Sequence, residues 1–327
     1  MTGTSRRSLC AHAPSLQLAV GACGGDDGGA SPDAGIDAAL GDPTILAGYV
    51  NVDLVDADPK YTKIEARVND GASPPLKILN AMTTDGDCRL LIPSYPFCTT
   101  SCGSAGVCVA DETCMPYPTS QDVGTIHVTG VHTAAGASEL DLNHLTSSGS
   151  HTYSQGATVL AYPGFAEGDA ITAAIGGGAF TPPLTIATTG IAPLVVTSAE
   201  PTLDRNTPVT LTWTPPAAAA TSRVQVKVEI SHHGGFRGQI ECDTADDGSL
   251  TLGGPIVTQL LDLGVAGFPT ITTTRTIVNS GLTTAGRVDL TVASAISQAV
   301  HIPGLISCTD DTECTPPATC QDDLTCR

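Results

Sequence analysis

Cysteine is the residue whose spacing says most in this chain. Cys98, Cys102, Cys108 and Cys114 follow one another with three, five and five residues between them, and Cys308, Cys314, Cys320 and Cys326 with five at each step. Cysteines set so regularly either cross-link or hold a metal as thiolates. Zinc sites favour Cys-x2-4-Cys pairs, often with a histidine. Only the Cys98–Cys102 step fits that spacing, and no histidine lies inside either cluster. Disulfides are therefore expected. The intervening residues are mostly Gly, Ser, Thr, Asp and Pro, too polar to build a core, so cross-links must supply the order that burial does not. Four cysteines admit three pairings, and sequence does not choose among them. We favour alternate pairing, Cys98–Cys108 with Cys102–Cys114 and Cys308–Cys320 with Cys314–Cys326. Each would close a loop of about ten residues and contribute about 2–3 kcal/mol. Cys88 and Cys242 are left over; they either bridge two domains or each join a neighbouring cluster.

Other chemistry is harder to find. His232 and His233 are adjacent at the end of an alternating segment, just before Gly234 and Gly235. Neighbours in a strand point to opposite faces, so this pair is read as solvated turn histidines, and no metal ligand set is assigned. His127 falls in the solvent-facing phase of a β-like segment, with His132 just after it. Oxygen-rich loops are the candidates for calcium. Asp243, Asp246, Asp247 and Gly248 resemble part of an EF-hand loop, but Ala245 and Gly254 stand where carboxylates belong. Asp53, Asp56 and Asp58, and Asp310, Asp311 and Glu313, are the other acidic groups. Calcium is the one cofactor considered; otherwise none is expected. No nucleophile elbow, phosphate-binding glycine loop, HExxH or dinucleotide fingerprint occurs, so no catalytic residue is assigned. Gly176–Gly178 reads as a bulge or turn.

The elements that carry these residues read as strands. Gly (35) and Pro (23) are abundant while charged residues are only 14%, which suits short strands and many turns. Period-two alternation marks Tyr49–Asp53, Lys63–Val68, Val224–Ile230 and Arg287–Val292. Further candidates are Cys88–Ile92, Thr125–Val131, Ala157–Tyr162, Ala170–Ile175 and Leu184–Thr188. Val209, Leu211 and Trp213 share one face, which makes Trp213 a core anchor rather than a sugar platform. Pro255–Leu263 reads as a short helix. The expected fold is mainly β: two antiparallel sandwich-like domains, two small disulfide-rich segments and a disordered N-terminal tether. The boundaries are 1–22 (signal peptide), 23–43 (low-complexity linker), 44–195 (β domain with a cysteine-rich insertion at 88–118), 196–304 (immunoglobulin-like sandwich) and 305–327 (cysteine-rich tail).

Several of these segments resemble known families. Arg6 and Arg7, a short apolar run, and then Val20, Gly21, Ala22 and Cys23 resemble a bacterial lipoprotein signal, which implies a lipid on Cys23. Ser5–Leu9 is also similar to a twin-arginine export signal. The stretch TLTWTPP resembles the early tryptophan-bearing strand of fibronectin type III-like and other immunoglobulin-like domains, although no tyrosine follows Tyr162 to make that fold's tyrosine corner. The tail CTDDTECTPPATCQDDLTC is similar in spacing to epidermal-growth-factor-like and Dickkopf-type modules. The whole organisation resembles the predicted surface lipoproteins of myxobacteria.

Charge and hydropathy narrow the partners. A formal charge of −19, with no basic cluster beyond Arg6 and Arg7, excludes nucleic acid. No apolar run is long enough to span a bilayer, so membrane contact is expected through the lipid alone. The expected function is a non-catalytic binding or structural lipoprotein of the cell envelope (outer membrane or cell surface, or else secreted), with an unknown protein or polysaccharide ligand. A secreted polysaccharide hydrolase and a calcium-stabilised adhesin are the alternatives.

Overall fold

The chain is described here from a computed structural model covering residues 40–179, 181–217 and 221–327. Cys23 and the signal and lipobox residues lie outside these.

The strands form where apolar and polar residues alternate. β1 (Leu46–Val55) and β2 (Tyr61–Val68) bury Val50, Val52 and Leu54 and Ile64, Ala66 and Val68, with polar alternates turned outward. β3 (Leu79–Asp85) and β4 (Cys88–Pro93) follow, and then a small separate hairpin of β5 (Gly106–Ala110) and β6 (Thr113–Pro116). Next come β7 (Ile126–Thr129), β8 (Glu139–Asp141), β9 (Asn143–Ser147), β10 (Ser150–Ser154), β11 (Ala170–Ile175) and β12 (Leu184–Thr189). β13 (Val209–Thr212), β14 (Arg223–Glu229), β15 (Gln239–Ala245) and β16 (Ser249–Leu252) precede the one α-helix among the described residues, α1 (Gly254–Asp262). Two fourteen-residue strands, β17 (Thr270–Thr283) and β18 (Gly286–Ala299), close the series. α1 begins at Gly253–Gly254–Pro255, where proline suits the first turn, and it buries Ile256, Val257, Leu260 and Leu261 as one stripe.

The fold is mainly β, and it contains two sandwich-like cores. In the first, β1, β2 and β18 pack on the sheet of β12, β11, β7 and β8, so that Val50, Val52, Leu290 and Val292 face Ile126, Val128, Ile171 and Ala173. In the second, Val224, Val226 and Val228 of β14 and Ile240 of β15 share a core with Leu211, Trp213 and Leu252 from the β13–β16 pair and with the α1 stripe. Each fully buried aliphatic side chain contributes about 1.5–3 kcal/mol of transfer free energy. Trp213 is 3% exposed, in the phase that its neighbours set.

The boundary at 195/196 does not separate two sheets. One ten-stranded sheet, ordered β3-β4-β15-β14-β17-β18-β1-β2-β10-β9, runs through both halves. β1 lies parallel to β18, with Val50 beside Leu290, while every other pair in this sheet is antiparallel. Alternation marks strands but not their partners, and these two partners lie at opposite ends of the described chain. The cysteine-rich insertion likewise begins later than residue 88, because Cys88 is the first residue of β4, within the long sheet. The linker ends before residue 43: the Gly41 N–H donates to the Thr283 carbonyl at 2.8 Å. Ala157–Tyr162 is not a strand. It makes one bridge, Leu160 to Thr133, and Pro163 follows, which has no N–H for a ladder.

Candidate functional site

All ten described cysteines are cross-linked. Cys98 pairs with Cys108 and Cys102 with Cys114 in the β5–β6 module; Cys308 pairs with Cys320 and Cys314 with Cys326 in the tail. Cys88 and Cys242 face each other across β4 and β15. Carboxylates brace the modules further. Asp111 accepts the Phe97 N–H at 3.0 Å, and Asp311 accepts the Cys320 N–H at 2.8 Å. Asp323 accepts from the Thr325 hydroxyl and from Arg327; the Thr325 hydrogen bond above all, with the Arg327 and Arg237 charges, outweighs burial and holds its carboxyl below the usual carboxylate range.

Several of the acidic residues considered for calcium have partners of their own. Asp53 and Asp56 form ion pairs with Lys63 (3.7 Å) and Lys60 (2.5 Å). Asp310 caps its own turn by accepting the Thr312 N–H at 2.8 Å, and Glu313 accepts the Thr309 N–H at 2.5 Å.

Asp246 has the most demanding role. Its side chain is 1% exposed and meets Arg275, 2% exposed, through two hydrogen bonds: Nε to Oδ2 at 2.6 Å and Nη2 to Oδ1 at 3.0 Å. Trp213 Nε1 donates to Oδ1 at 2.8 Å and the Ser222 hydroxyl to Oδ2 at 2.7 Å. Arg275 also donates to the carbonyls of Thr214 (2.6 Å) and Ala192 (3.2 Å). Burial pushes the Asp246 carboxyl up; the hydrogen bonds from Arg275, Ser222 and Trp213 and the Arg275 charge outweigh it and hold the carboxyl below its ordinary value. Arg275 sits on β17 between Ile271, in the second core, and Ile277, in the first, so the ion pair joins the two cores. The sequence signal is its phase: Arg275 alternates with Ile271, Thr273 and Ile277 on the inward side. A cavity of about 350 Å³ beside it is lined by Arg275, Ile277, Glu167, Gly190, Ala217 and Ser222 among others.

The histidines singled out from the sequence divide into three settings. The rings of His232 and His233 lie 3.9 Å apart and tilted, at a turn where His233 has φ +64°. His127 on β7 bonds Asp141 through Nδ1 at 2.7 Å, while its Nε2 faces Glu139 at 3.7 Å. His132 is exposed.

His144 and His151, which carry no assignment from the sequence, meet on the β9–β10 hairpin. The hairpin turns through Ser148 and Gly149, both at positive φ (49° and 79°), as the tight two-residue turn requires. Its register sets His144 opposite Tyr153 and His151 opposite Thr146, which places the two histidines on one face. The His144 ring stacks on Tyr153 (4.8 Å, 11°) and on His151 (5.1 Å, 21°), and His144 Nε2 lies 2.8 Å from His151 Nδ1.

Asp122 stands beside this pair. The Gly124 N–H, the Tyr153 hydroxyl and the two nearby imidazoles hold its carboxyl below the usual range, against a weaker effect of burial. Tyr153 is 1% exposed, and its oxygen also accepts the Val123 N–H at 2.9 Å, so Asp122 is anchored to the first core. The signal in the sequence was Ser148–Gly149 between two short polar runs, each holding a histidine.

A second, larger concavity of about 770 Å³ lies over the polar face of β4, β14, β15 and β17. Two of its acids are in ion pairs, Glu241 with Arg89 (3.3 Å) and Asp243 with Arg223 (2.6 Å).

No protein-family model matches the chain, and no curated protein is significantly similar to it. Among solved structures, the chain is similar to the FN1–FN3 domains of chicken CNTN1, at 11% identity over 72% of this chain and 70% of that one, with a TM-score of 0.18. Backbones related that distantly share no overall arrangement, so the fold rests on the strand register described above.

Proposed function

We propose that this chain is a non-catalytic binding or structural protein of the cell envelope, a disulfide-braced β body displayed on a low-complexity tether from a lipid at Cys23. The observation that carries the reading is that every described cysteine is in a disulfide, five in all, the chemistry of an oxidising compartment outside the cytosol. The lipobox residues Val20–Cys23 and the Gly-, Asp- and Ala-rich stretch after them support the anchor. No helix among the described residues is long and apolar enough to cross a membrane. The non-catalytic part is supported by how ionisable groups are used: Asp246 and Arg275 join two cores, and Glu241 and Asp243 of the larger concavity are paired with arginines.

Expression in a bacterial host with labelled fatty acid tests the anchor. The natural sequence should carry the label and partition with membranes, and Cys23→Ser should lose the label and appear in the soluble fraction. Equal membrane retention of both chains would sink the anchor.

A further inference from the structure

His144 Nε2 and His151 Nδ1 lie 2.8 Å apart, so either one of them carries the proton of an N–H···N hydrogen bond or a metal ion stands between them. Their spacing falls just short of what a metal imposes. Two nitrogens each about 2.0–2.1 Å from one ion, at right-angle to tetrahedral geometry, lie about 2.9–3.4 Å apart. A small ring rotation on an exposed hairpin covers the difference.

The third ligand is in place as well. One ligand atom each from Asp122, His144 and His151 can be chosen so that all three lie within 4.8 Å of one another. The hydrogen bonds from Gly124 and Tyr153 reach Asp122 through Oδ1, which also lies 4.0 Å from His144 Nδ1. The hydroxyl of Tyr153 fixes the carboxylate while its ring supports His144, so one buried residue orients two of the three ligands. The other close triplets, Cys98, Cys102 and Cys114 and Cys308, Cys314 and Cys326, are cross-linked and offer no thiolate.

We propose that Asp122, His144 and His151 form a site for a divalent transition-metal ion, zinc, bound through one ring nitrogen of each histidine and an Asp122 oxygen, with water completing the shell. Two imidazoles and one carboxylate favour zinc over the hard, all-oxygen preference of calcium. The site also has a structural consequence. His144 and His151 lie on the outer two strands of the ten-stranded sheet, and Asp122 immediately precedes the segment leading into β7 of the facing sheet. A bound ion would clamp the two layers at their open edge.

The test uses the full chain, without a histidine tag, stripped with chelator and then titrated with zinc alone by calorimetry and by thermal melting. One zinc should bind per chain and raise the melting temperature. His144→Ala and His151→Ala should each weaken binding by at least the roughly 10–100-fold that loss of an outer-shell partner costs. The double variant should lose the thermal shift, and His127→Ala should bind as the natural sequence does. Matching melts in EDTA show that the variants fold. The proposal is overturned if the natural chain takes up no zinc, if the double variant binds it unchanged, or if only His127→Ala loses it. This site stands independently of the lipid anchor.

Discussion

Asp246→Ala should lower the stability of the folded chain by about 3–5 kcal/mol, the cost of leaving a buried guanidinium without its partner. Arg275 is 2% exposed and cannot recover water, and the Trp213 Nε1–H and Ser222 hydroxyl lose their acceptor in the same substitution. For that reason, replacing the pair by apolar residues, Arg275→Met with Asp246→Leu, should recover little of the loss: the carbonyls of Thr214 and Ala192 would then be unpaired too. Denaturant unfolding of the three variants measures this, and a double variant as stable as the natural chain would refute it. The sign with pH follows from the depressed Asp246 carboxyl. Its contribution is fully present above the ordinary carboxylate range and is lost as pH falls through the lower folded value. Between neutrality and strong acid the natural chain should therefore lose more stability than Asp246→Ala does.

Replacing Cys88 and Cys242 together by alanine should have an effect of similar size. The cross-link closes a loop of 154 residues, for which chain entropy gives about 5 kcal/mol, against about 3 kcal/mol for each ten- to twelve-residue loop of the small modules. The larger figure is a ceiling, since β4 and β15 are also held by their ladder. Unfolding of Cys88→Ala/Cys242→Ala beside Cys308→Ala/Cys320→Ala ranks the two bonds. A loss below about 1 kcal/mol in the first would show that the ladder alone fixes β4 against β15.

Sequence revealed the strands where polarity changes sharply from one residue to the next. Val224, Val226 and Val228 against Arg223, Gln225 and Lys227 define β14, and the same contrast marks β2 and part of β18. β17 escaped because TITTTRTIVNSGLT has threonine on both faces and an arginine among its inward positions, so no apolar stripe appears. β9 escaped for a related reason: all five of its residues are exposed, and an edge strand with two wet faces has no period to read. With β9 and β10 unread, His144 and His151 were seven residues apart in a polar stretch, and nothing brought them together. Asp246 was seen in an acidic loop and weighed for calcium; its partner lies 29 residues away, on a strand the pattern did not show. Sheet order was illegible throughout, because pairing is a property of two segments and alternation reports only one at a time.

That order has a consequence for how the chain is made. β1 has one neighbour close behind it in β2, but its other neighbour, β18, comes some 240 residues later. Until β18 arrives, one edge of β1 stays open, and the apolar row Val50, Val52 and Leu54 lacks the neighbouring row from Val288, Leu290 and Val292. Contacts so distant along the chain form slowly, and an open edge meanwhile invites pairing with another molecule. The ten-stranded sheet is thus complete only when β18 slides in beside β1, and any truncation upstream of β18 leaves an adhesive strand, not a smaller domain.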